Sequence, residues 1–455
     1  MTKENTFCGK VPGMTSTRAI ALFLCCLGLW PALVACSAQK PWWDVKWEAR
    51  VPITVEAGGG LLAGRPVILR WGDVSRPLGE ARVRLSSLRL IEGDRPIPFQ
   101  IDHRDAKGDF LLPGNLTLDP QDELVFVCPG GRRTRMYLYM SEHPKPLASF
   151  TSGVTVTSPR RQRYHRKLAT AGMSIAIQGT GQLDLSASSQ ANSARAAVVE
   201  LKWKGHTLNN QRMSWGIVVN SHPYPSSEAD RWRNVRLLVD GPVRKVVATN
   251  CSNSTGKTAD GQVTWQANVT RYFSMFAGVP LYDVEDVAHC TVVQPNWTAG
   301  YLDQFHAGSS YDEHDVLWDG STGTVQAFSL AEKNISVERI GSLIDTQQVR
   351  DSWYAWFDEK QRTGVAVFYG PARPATGADD DATPARIRFR SGWRWYSTNN
   401  QMTFAHEGLT APVTLRYRFR VMGLDDVSPE QVAGEYRLWE NPQATSITIG
   451  SAERR

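Results

Sequence analysis

The chain has 455 residues, of which 42% are hydrophobic and 21% charged, and it contains 37 Gly and 25 Pro. This is the composition of a globular protein with many turns, and the length predicts two or three domains. The net charge of +6 is scattered, and no P-loop, zinc-ligand spacing or Arg-aromatic motif occurs, which argues against a nucleic-acid partner. The 16 Trp and 13 Tyr suit sandwich cores, and such rings also stack on sugars.

The N-terminus predicts a targeting segment. Arg18 precedes the apolar run AIALFLCCLGLWPALVAC, which Pro31 interrupts, so residues 1–38 are typical of a signal peptide rather than a membrane span. The sequence LVAC at residues 33–36 resembles a bacterial lipobox. This resemblance implies that Cys36 is lipidated and anchors an exported protein at the outer membrane or cell surface. The alternative is cleavage after small residues, which leaves a soluble periplasmic or secreted protein of the bacterial cell envelope.

Residues 40–150 predict a separate N-terminal β domain, a small barrel or sandwich. Short alternating runs recur about every ten residues, among them WEARVPITVEA, RPVILRWGDV and RMYLYMS. The Pro-containing stretch HPKPLASF ends this pattern, so we expect a domain boundary between residues 145 and 160. His103, beside Asp102 and Arg104, is expected to be an exposed loop residue.

Residues 155–425 predict a large antiparallel β-supersandwich organised around one long strand at 263–275. Its odd positions are mainly apolar and its even positions are mainly polar, a period of two that places one face on a core. The flanking runs 235–250 and 281–293 are rich in β-branched residues and predict neighbouring strands of the same sheet. The even residues Asn268, Thr270 and Tyr272 are therefore expected to face away from the core.

The remaining elements follow from local signals. The stretch DSWYAWFDEKQRTGVAVFYG predicts a hairpin of two apolar strands. In residues 426–455, Ser428, Pro429 and Gln431 stand at the N-cap, N1 and N3 positions of a short C-terminal helix. Of the 7 Cys, those beyond the signal segment are expected to be buried small residues, with a Cys251–Cys290 disulfide as an alternative.

The candidate catalytic residues are His306, Tyr311 and His314. They fall in a polar and aromatic run that is too irregular to predict a core strand. Side chains of these types can remove the C5 proton of a uronate and protonate the leaving oxygen in a β-elimination. The alternative is a loop closed by its own hydrogen bonds. The spacing of these residues fits no standard metal site, so no metal is predicted, and the sequence identifies no cofactor.

Five further residues are candidates for substrate binding. Cations and rings alternate around Arg394 and Trp395, which suits an acidic sugar, although a strand with one buried ring face has the same pattern. A loop leaving the sheet after residue 294 is expected to carry the catalytic candidates over Tyr272. Arg212 and His222, from an earlier irregular stretch, are expected to form the opposing wall of this cleft.

Two sets of motifs resemble a known family. The pattern GPV, R-Y-F and AGVPLYDVE is similar to the β-supersandwich of galactose-mutarotase-like proteins and polysaccharide lyases. The runs WEARVPITV, LRLIE, IPFQID and LDPQDELVFV resemble the N-terminal domain of rhamnogalacturonan-lyase-like proteins. The resemblance implies a sugar-binding cleft on the sandwich and an N-terminal domain that acts as a support without catalysis.

The leading hypothesis is therefore an exported carbohydrate-active protein, most concretely a lyase that cleaves an acidic polysaccharide by β-elimination. Its partner would be a polysaccharide or oligosaccharide, and it would meet a membrane only through a lipid anchor. The alternative is a non-catalytic glycan-binding or structural cell-surface lipoprotein.

Overall fold

The computed structural model is built mostly from antiparallel β-strands, as the sequence predicts. It describes residues 42–44, 46–56, 64–79, 83, 85–112, 118–129, 133–141, 143, 145–146, 149–158, 165–178, 197–219, 222–224, 233–257, 263–293, 297–307, 313–320, 324–329, 353–370, 373–374, 386–391, 397–406, 412–440 and 447–455. Residues Val45–Arg455 form one compact unit. Cys36 and the predicted signal segment lie outside the described residues. Within the described ranges, no helix has the length and apolar character needed to cross a bilayer.

The elements of the N-terminal region are seven strands and a short helix among its described residues. They are β1 (Ala49–Glu56), β2 (Gly64–Arg70), α1 (Trp71–Ser75), β3 (Leu88–Glu92), β4 (Arg95–Ile97), β5 (Phe99–Asp102), β6 (Glu123–Pro129) and β7 (Arg133–Met140), with 3-10 turns at Arg76–Leu78 and Leu85–Ser87.

The strands that follow, up to the middle of the chain, are β8 (Thr155–Thr157), β9 (His165–Thr170), β10 (Met173–Gln178), β11 (Ala197–Trp203), β12 (His206–Val219), β13 (His222–Tyr224), β14 (Arg233–Asp240), β15 (Arg244–Lys257), β16 (Val263–Phe276) and β17 (Leu281–Val293). The last part of the chain contains β18 (Trp297–Ala307), β19 (Asp315–Asp319), β20 (Gln326–Ser329), β21 (Trp353–Asp358), β22 (Thr363–Tyr369), β23 (Arg373–Pro374), β24 (Arg386–Ser391), β25 (Ser397–His406), β26 (Val413–Asp425), α2 (Pro429–Glu440), β27 (Ile447–Ile449) and β28 (Glu453–Arg454).

The N-terminal strands form two small sheets that face each other. Sheet A has the order β27-β1-β7-β3-β4, and sheet B has the order β2-β6-β5. Apolar residues of both sheets and of α1 share one core, which includes Val51, Trp71, Leu90, Phe126 and Leu138. Of the two architectures predicted for the N-terminal β domain, a small barrel or a sandwich, the described strands form the sandwich. The C-terminal strands β27 and β28 both pair with β1, so residues distant in sequence complete sheet A.

Two larger sheets form the predicted supersandwich. Sheet C has the order β24-β25-β18-β12-β11-β10-β9-β8, and sheet D has the order β14-β15-β16-β17-β26-β22-β21-β19-β20. Their facing sides share a core to which sheet C contributes Leu168, Ile175 and Trp203, and sheet D contributes Val269 and Phe273. No strand from residues 49–140 is placed in sheet D in the described part of the chain. The boundary between residues 145 and 160 stays a prediction.

The alternation along the long strand is confirmed. Val269, Phe273 and Met275 of β16 are buried in the core between sheets C and D. Tyr272 belongs instead to a cluster with Phe110 on the other side of sheet D. This second side, facing away from sheet C, is called the outer face.

The C-terminal helix α2 begins with the predicted capping box. Gln431 Oε1 accepts a hydrogen bond from the Ser428 backbone N–H at 2.8 Å, and the Gln431 N–H donates to Ser428 Oγ at 3.4 Å. These bonds satisfy the backbone N–H groups of Ser428 and Gln431, while Pro429 has no N–H group that would need an acceptor. The apolar side of α2, including Tyr436 and Trp439, packs on the outer face of sheet D beside β6.

Two other sequence predictions concern cysteines and the apolar hairpin. Cys128 and Cys290 are buried thiols, as expected, so Cys290 is not in a disulfide. The predicted hairpin is formed by β21 and β22, in which every residue is buried except at the turn.

Two stretches differ from their predictions. Residues 235–250 are divided between β14 and β15, because Gly241 and Pro242 turn the chain between them. Residues 297–307 form strand β18 rather than an irregular loop. The polar residues of this stretch are compatible with a strand because β12 and β25 flank it and provide backbone hydrogen-bond partners on both edges.

Candidate functional site

A loop of the N-terminal β domain crosses the outer face of sheet D. This loop, residues 103–112 and called the docking loop, follows β5 and folds back on itself. Asp105 Oδ1 accepts the backbone N–H groups of Lys107 at 2.8 Å and Asp109 at 2.9 Å. Gly108 has φ +86°, and a Cβ at this position would lie 1.5 Å from Arg416 Nη2. Only glycine combines this backbone conformation with such close packing.

Three strands of sheet D provide the surface on which the docking loop lies. Tyr272 of β16 pairs with Glu285 of β17, and His289 of β17 pairs with Thr414 of β26. Because side chains alternate between the faces of a strand, these four residues and Arg416 share the outer face. The residues between them, such as Ala288 and Leu415, are buried in the core on the opposite side.

Asp109 joins the docking loop to this surface. Its Oδ1 accepts a hydrogen bond from the Tyr272 hydroxyl, and its Oδ2 lies 2.8 Å from His289 Nε2. The other ring nitrogen, His289 Nδ1, lies 2.9 Å from Thr414 Oγ1. We call Asp109, Tyr272, His289 and Thr414 the loop–sheet cluster. The side chains of Asp109 and His289 are 22% and 27% exposed, so solvent reaches the cluster.

Charged residues surround the loop–sheet cluster. Arg104 Nη2 donates to Glu285 Oε2 at 2.9 Å, and Arg416 Nη2 lies 3.5 Å from Glu285 Oε1. Arg416 Nη2 also donates to the Gly108 carbonyl at 2.7 Å. The guanidinium of Arg104 stacks on Phe110, with 3.4 Å between its Cζ and the ring centre. The Arg416 side chain is 27% exposed, so part of this cation is in contact with solvent.

The environment fixes the charge states of two members of the cluster. Burial raises the pKa of Tyr272, and its hydrogen bond to Asp109 raises it further, so the phenol stays protonated. Burial alone would raise the pKa of Asp109, but the hydrogen bonds from His289 and Tyr272 and the charge of Arg416 lower it more. Asp109 is therefore a carboxylate at neutral pH.

A second network, buried except at Glu123, whose side chain is 17% exposed, anchors sheet B to sheet D. Arg244 Nε donates to Asp102 Oδ2 at 2.7 Å, and Arg244 Nη2 donates to Glu123 Oε2 at 2.5 Å. Gln100 Oε1 accepts the backbone N–H groups of Val243 at 2.9 Å and Arg244 at 2.7 Å. These contacts hold β5, and therefore the start of the docking loop, against the first residues of β15.

Glu123 is expected to make the stability of the protein pH-dependent. Burial raises the pKa of Glu123, but the charges of Arg104 and Arg244 outweigh burial and lower the pKa from 4.5 to about 2. A lowered carboxyl pKa stabilises the folded state above pH 4.5, and this contribution disappears as the pH falls from 4.5 to 2. We expect Glu123→Gln to cost about 3 kcal/mol of unfolding free energy at pH 6. Urea unfolding at a series of pH values measures the difference.

The exposed Glu313 provides the control for this prediction. Its side chain is 84% exposed, so Glu313→Gln should change the unfolding free energy little at any pH. A Glu123→Gln effect that stays constant between pH 6 and pH 3 would contradict the proposed role of the two arginines.

Three of the sequence-predicted site residues lie on neighbouring strands of sheet C, since β12 pairs with both β18 and β13. His306 and Arg212 lie on β18 and β12 of sheet C, and His222 lies on the short strand β13. Their side chains are outside the described part of the structure, as are all atoms of Tyr311, Arg394, Trp395 and Cys36. The grouping of these residues in one site stays a prediction.

Tyr272 and His314 are described with their side chains, and they lie far apart. Tyr272 is 2% exposed, with its ring 5.0 Å from that of Phe110, so a sugar could touch it only if the docking loop moved. His314 precedes β19, which is separated from β16 by four strands in sheet D. This separation of five strand spacings is roughly 24 Å. His314 is half-exposed, and its Nε2 lies 3.6 Å from Glu313 Oε1.

The residues that sequence reasoning missed are Asp109, His289, Thr414 and Arg416. His103 is also not the exposed loop residue that the sequence suggested, since its side chain is 11% exposed and its Nδ1 lies 3.0 Å from Asp122 Oδ2. A sequence signal for His289 exists in the alternation of β17, which places residues 285, 287 and 289 on one face of the strand. The register of β16 with β17 shows that this is the face of Tyr272. No sequence signal connects Asp109 to this face.

The described side chains include no group of three or more His, Cys, Asp or Glu arranged to hold a metal ion.

Comparisons with known proteins identify similar solved structures but no sequence family. No family model matches the chain, and no curated protein matches it in sequence. A glycosyl hydrolase family 38 protein from Enterococcus faecalis is similar in structure, with a TM-score of 0.47 and 8% identity over 90% of this chain and 48% of that chain. An alpha-mannosidase from Enterococcus faecalis V583 gives a TM-score of 0.48 and 10% identity over 89% of this chain and 46% of that chain.

A smaller protein is also similar. A galactose mutarotase-like protein from Clostridium acetobutylicum gives a TM-score of 0.36 and 8% identity, and the match covers 60% of this chain and 98% of that chain. The present chain spans about half the length of the two Enterococcus structures. At this level of similarity, the function of the chain has to be inferred from its own residues.

Proposed function

We propose that the chain is an exported carbohydrate-active protein that cleaves an acidic polysaccharide by β-elimination. The observation that carries the proposal is the loop–sheet cluster, where a solvent-accessible histidine backed by a carboxylate lies on the same sheet face as a partly exposed arginine. His289 and Arg416 are each 27% exposed.

The chemistry of β-elimination requires these residue types. A base removes the proton at C5 of the uronate, and a cation stabilises the charge that develops on the adjacent carboxylate. We assign the first role to His289 and the second to Arg416. The buried, protonated Tyr272 would hold Asp109 rather than contact the sugar. Tyr311 remains a candidate for protonating the leaving oxygen. His306 is not a candidate at this cluster, because it lies on sheet C, on the opposite side of sheet D.

The polar surface near the cluster supports a sugar ligand. Asn268 is exposed and Thr270 is half-buried on the same outer face, next to His289 in the neighbouring strand. Amide and hydroxyl side chains of this kind can hydrogen-bond sugar hydroxyl groups. Arg416 would favour a substrate that carries a carboxylate.

The proposal can be tested with a panel of uronate polymers. The purified protein is incubated with each polymer, and the absorbance of unsaturated products is followed with time. An increase of this absorbance with at least one polymer supports the proposal that the protein is a lyase. Binding of a polymer without turnover would contradict the lyase hypothesis and support the alternative, a non-catalytic glycan-binding protein.

Export through a lipid anchor is a separate part of the proposal. Cys36→Ala is expected to move the protein from the membrane fraction to the soluble fraction, because the substituted side chain cannot be lipidated. Cell fractionation followed by immunoblotting measures the partition. Cys26→Ala, in the same apolar segment, should leave the partition unchanged. Equal partition of the Cys36→Ala variant and the unmodified protein would rule out the anchor.

A further inference from the structure

The N-terminal β domain contributes a residue to the candidate site of the sandwich. Asp109 lies 180 residues before His289 in sequence, yet its Oδ2 is 2.8 Å from His289 Nε2. The Gly108 carbonyl accepts hydrogen bonds from Arg104 Nη1 at 2.6 Å and Arg416 Nη2 at 2.7 Å. The first bond closes the docking loop on itself and the second fixes its tip to β26 of sheet D, so Asp109 has little freedom to move away from the ring.

The hydrogen bonds determine which ring nitrogen of His289 carries the proton. An ionised carboxylate only accepts hydrogen bonds, so the His289 Nε2 facing Asp109 must be the donor. In the neutral ring, Nδ1 is then the acceptor, and the Thr414 hydroxyl donates to it across 2.9 Å. The ring atom that can take a proton from a ligand is therefore Nδ1.

We infer that Asp109 is a positioning residue that sets the tautomer and orientation of His289 so that Nδ1 serves as the base. The inference rests on the proposed function, and it makes the N-terminal β domain an essential part of the site rather than a support. A carboxylate that holds a catalytic histidine in this way acts through the ring and does not contact the substrate.

Tyr272 makes this inference testable with an isosteric change. In an Asp109→Asn variant, the amide oxygen should accept the hydrogen bond of the buried Tyr272 hydroxyl, since that donor has no water to replace it. The amide NH₂ would then face His289 Nε2 and require a lone pair there. The proton would move to Nδ1, and His289 would lose the unprotonated nitrogen that accepts from Thr414.

The first test uses the full-length protein labelled with ¹⁵N-histidine. The imidazole nitrogen shifts should identify His289 as the Nε2–H tautomer in the unmodified protein and as the Nδ1–H tautomer in Asp109→Asn. On a polymer that is cleaved, Asp109→Asn should lower kcat about 100-fold or more with little change in KM. Asp105→Asn, in the same loop, preserves an oxygen acceptor for the loop N–H groups and should alter neither property.

A double variant separates positioning from simple anchoring of the loop. In Asp109→Asn/Tyr272→Phe, no hydroxyl competes for the amide oxygen, so the oxygen can turn to His289 and the Nε2–H tautomer should return. The inference is overturned if Asp109→Asn keeps the original tautomer, or if the double variant keeps the altered one. Absence of turnover on every polymer would refute the proposed function, while the nitrogen shifts would still decide the role of Asp109.

Discussion

Replacing His289 with alanine is expected to lower kcat on a uronate polymer by about 10²- to 10⁴-fold, the contribution of a positioned general base. The substitution removes the only described ring that joins Asp109 to Thr414, while the Tyr272 hydroxyl still holds Asp109. The fold should therefore be retained, and KM should change little, because Arg416 keeps its place. Steady-state kinetics with absorbance detection of unsaturated products, together with a melting curve, measures both effects.

His206 provides a matched control for His289. It is also half-buried and also pairs with a threonine, with 2.7 Å between its Nε2 and Thr363 Oγ1, and its ring packs edge-on against Trp356. His206→Ala should cost similar stability but leave kcat unchanged, because this histidine lies away from the loop–sheet cluster. If His289→Ala retains the kcat of the unmodified protein, another residue must be the base.

Replacing Asp286 with alanine is expected to lower the free energy of unfolding by about 3–5 kcal/mol. Arg271 and Asp286 pair across β16 and β17 and are 0% and 1% exposed. Arg271 Nε donates to Asp286 Oδ1 at 2.8 Å, and Arg271 Nη2 donates to Asp286 Oδ2 at 2.7 Å. The alanine variant leaves a buried guanidinium without its carboxylate. A shift of the urea midpoint with an unchanged m-value would measure the loss.

Two variants test the cause of this loss. Arg271→Met/Asp286→Leu removes both charges and should recover most of the stability, since an apolar pair suits the interior. Asp425→Ala breaks the exposed pair with Lys204, whose side chains are 52% and 47% exposed, and should cost less than about 1 kcal/mol. A loss below about 1 kcal/mol for Asp286→Ala would mean that the guanidinium finds another partner or water.

Local signals in the sequence predict much of the fold. The alternation at 263–275 predicts both the strand β16 and the orientation of Tyr272. Successive side chains of a strand point to opposite faces, so a strand with one face on a core has an apolar residue at every second position. Ser428 and Gln431 predict the start of α2 because the capping box involves only neighbours in sequence. Strand β18 was missed because its side-chain pattern is mixed, and its flanking strands come from distant parts of the chain.

The candidate site could be predicted only in part. Tyr272 was selected because it lies on the polar face of a recognisable strand. Asp109 was not, because its role depends on a loop that closes over a sheet formed by residues more than 160 positions later. His103 appeared exposed because a short polar segment between strands usually is. Its burial comes from Asp122, which long-range folding brings into contact.

The pairing of β27 and β28 with β1 has a consequence for the order of folding. The guanidinium of the fully buried Arg50 donates to Glu453 Oε2 at 2.6 Å, a contact that spans 403 residues. During synthesis, β1 therefore emerges early but lacks one neighbour until residues 447–454 have been made. Contacts between such distant segments form slowly because closing the long loop between them costs conformational entropy before the contact is made. Sheet A, although it contains the first described strand, is consequently among the last parts of the described fold to be completed.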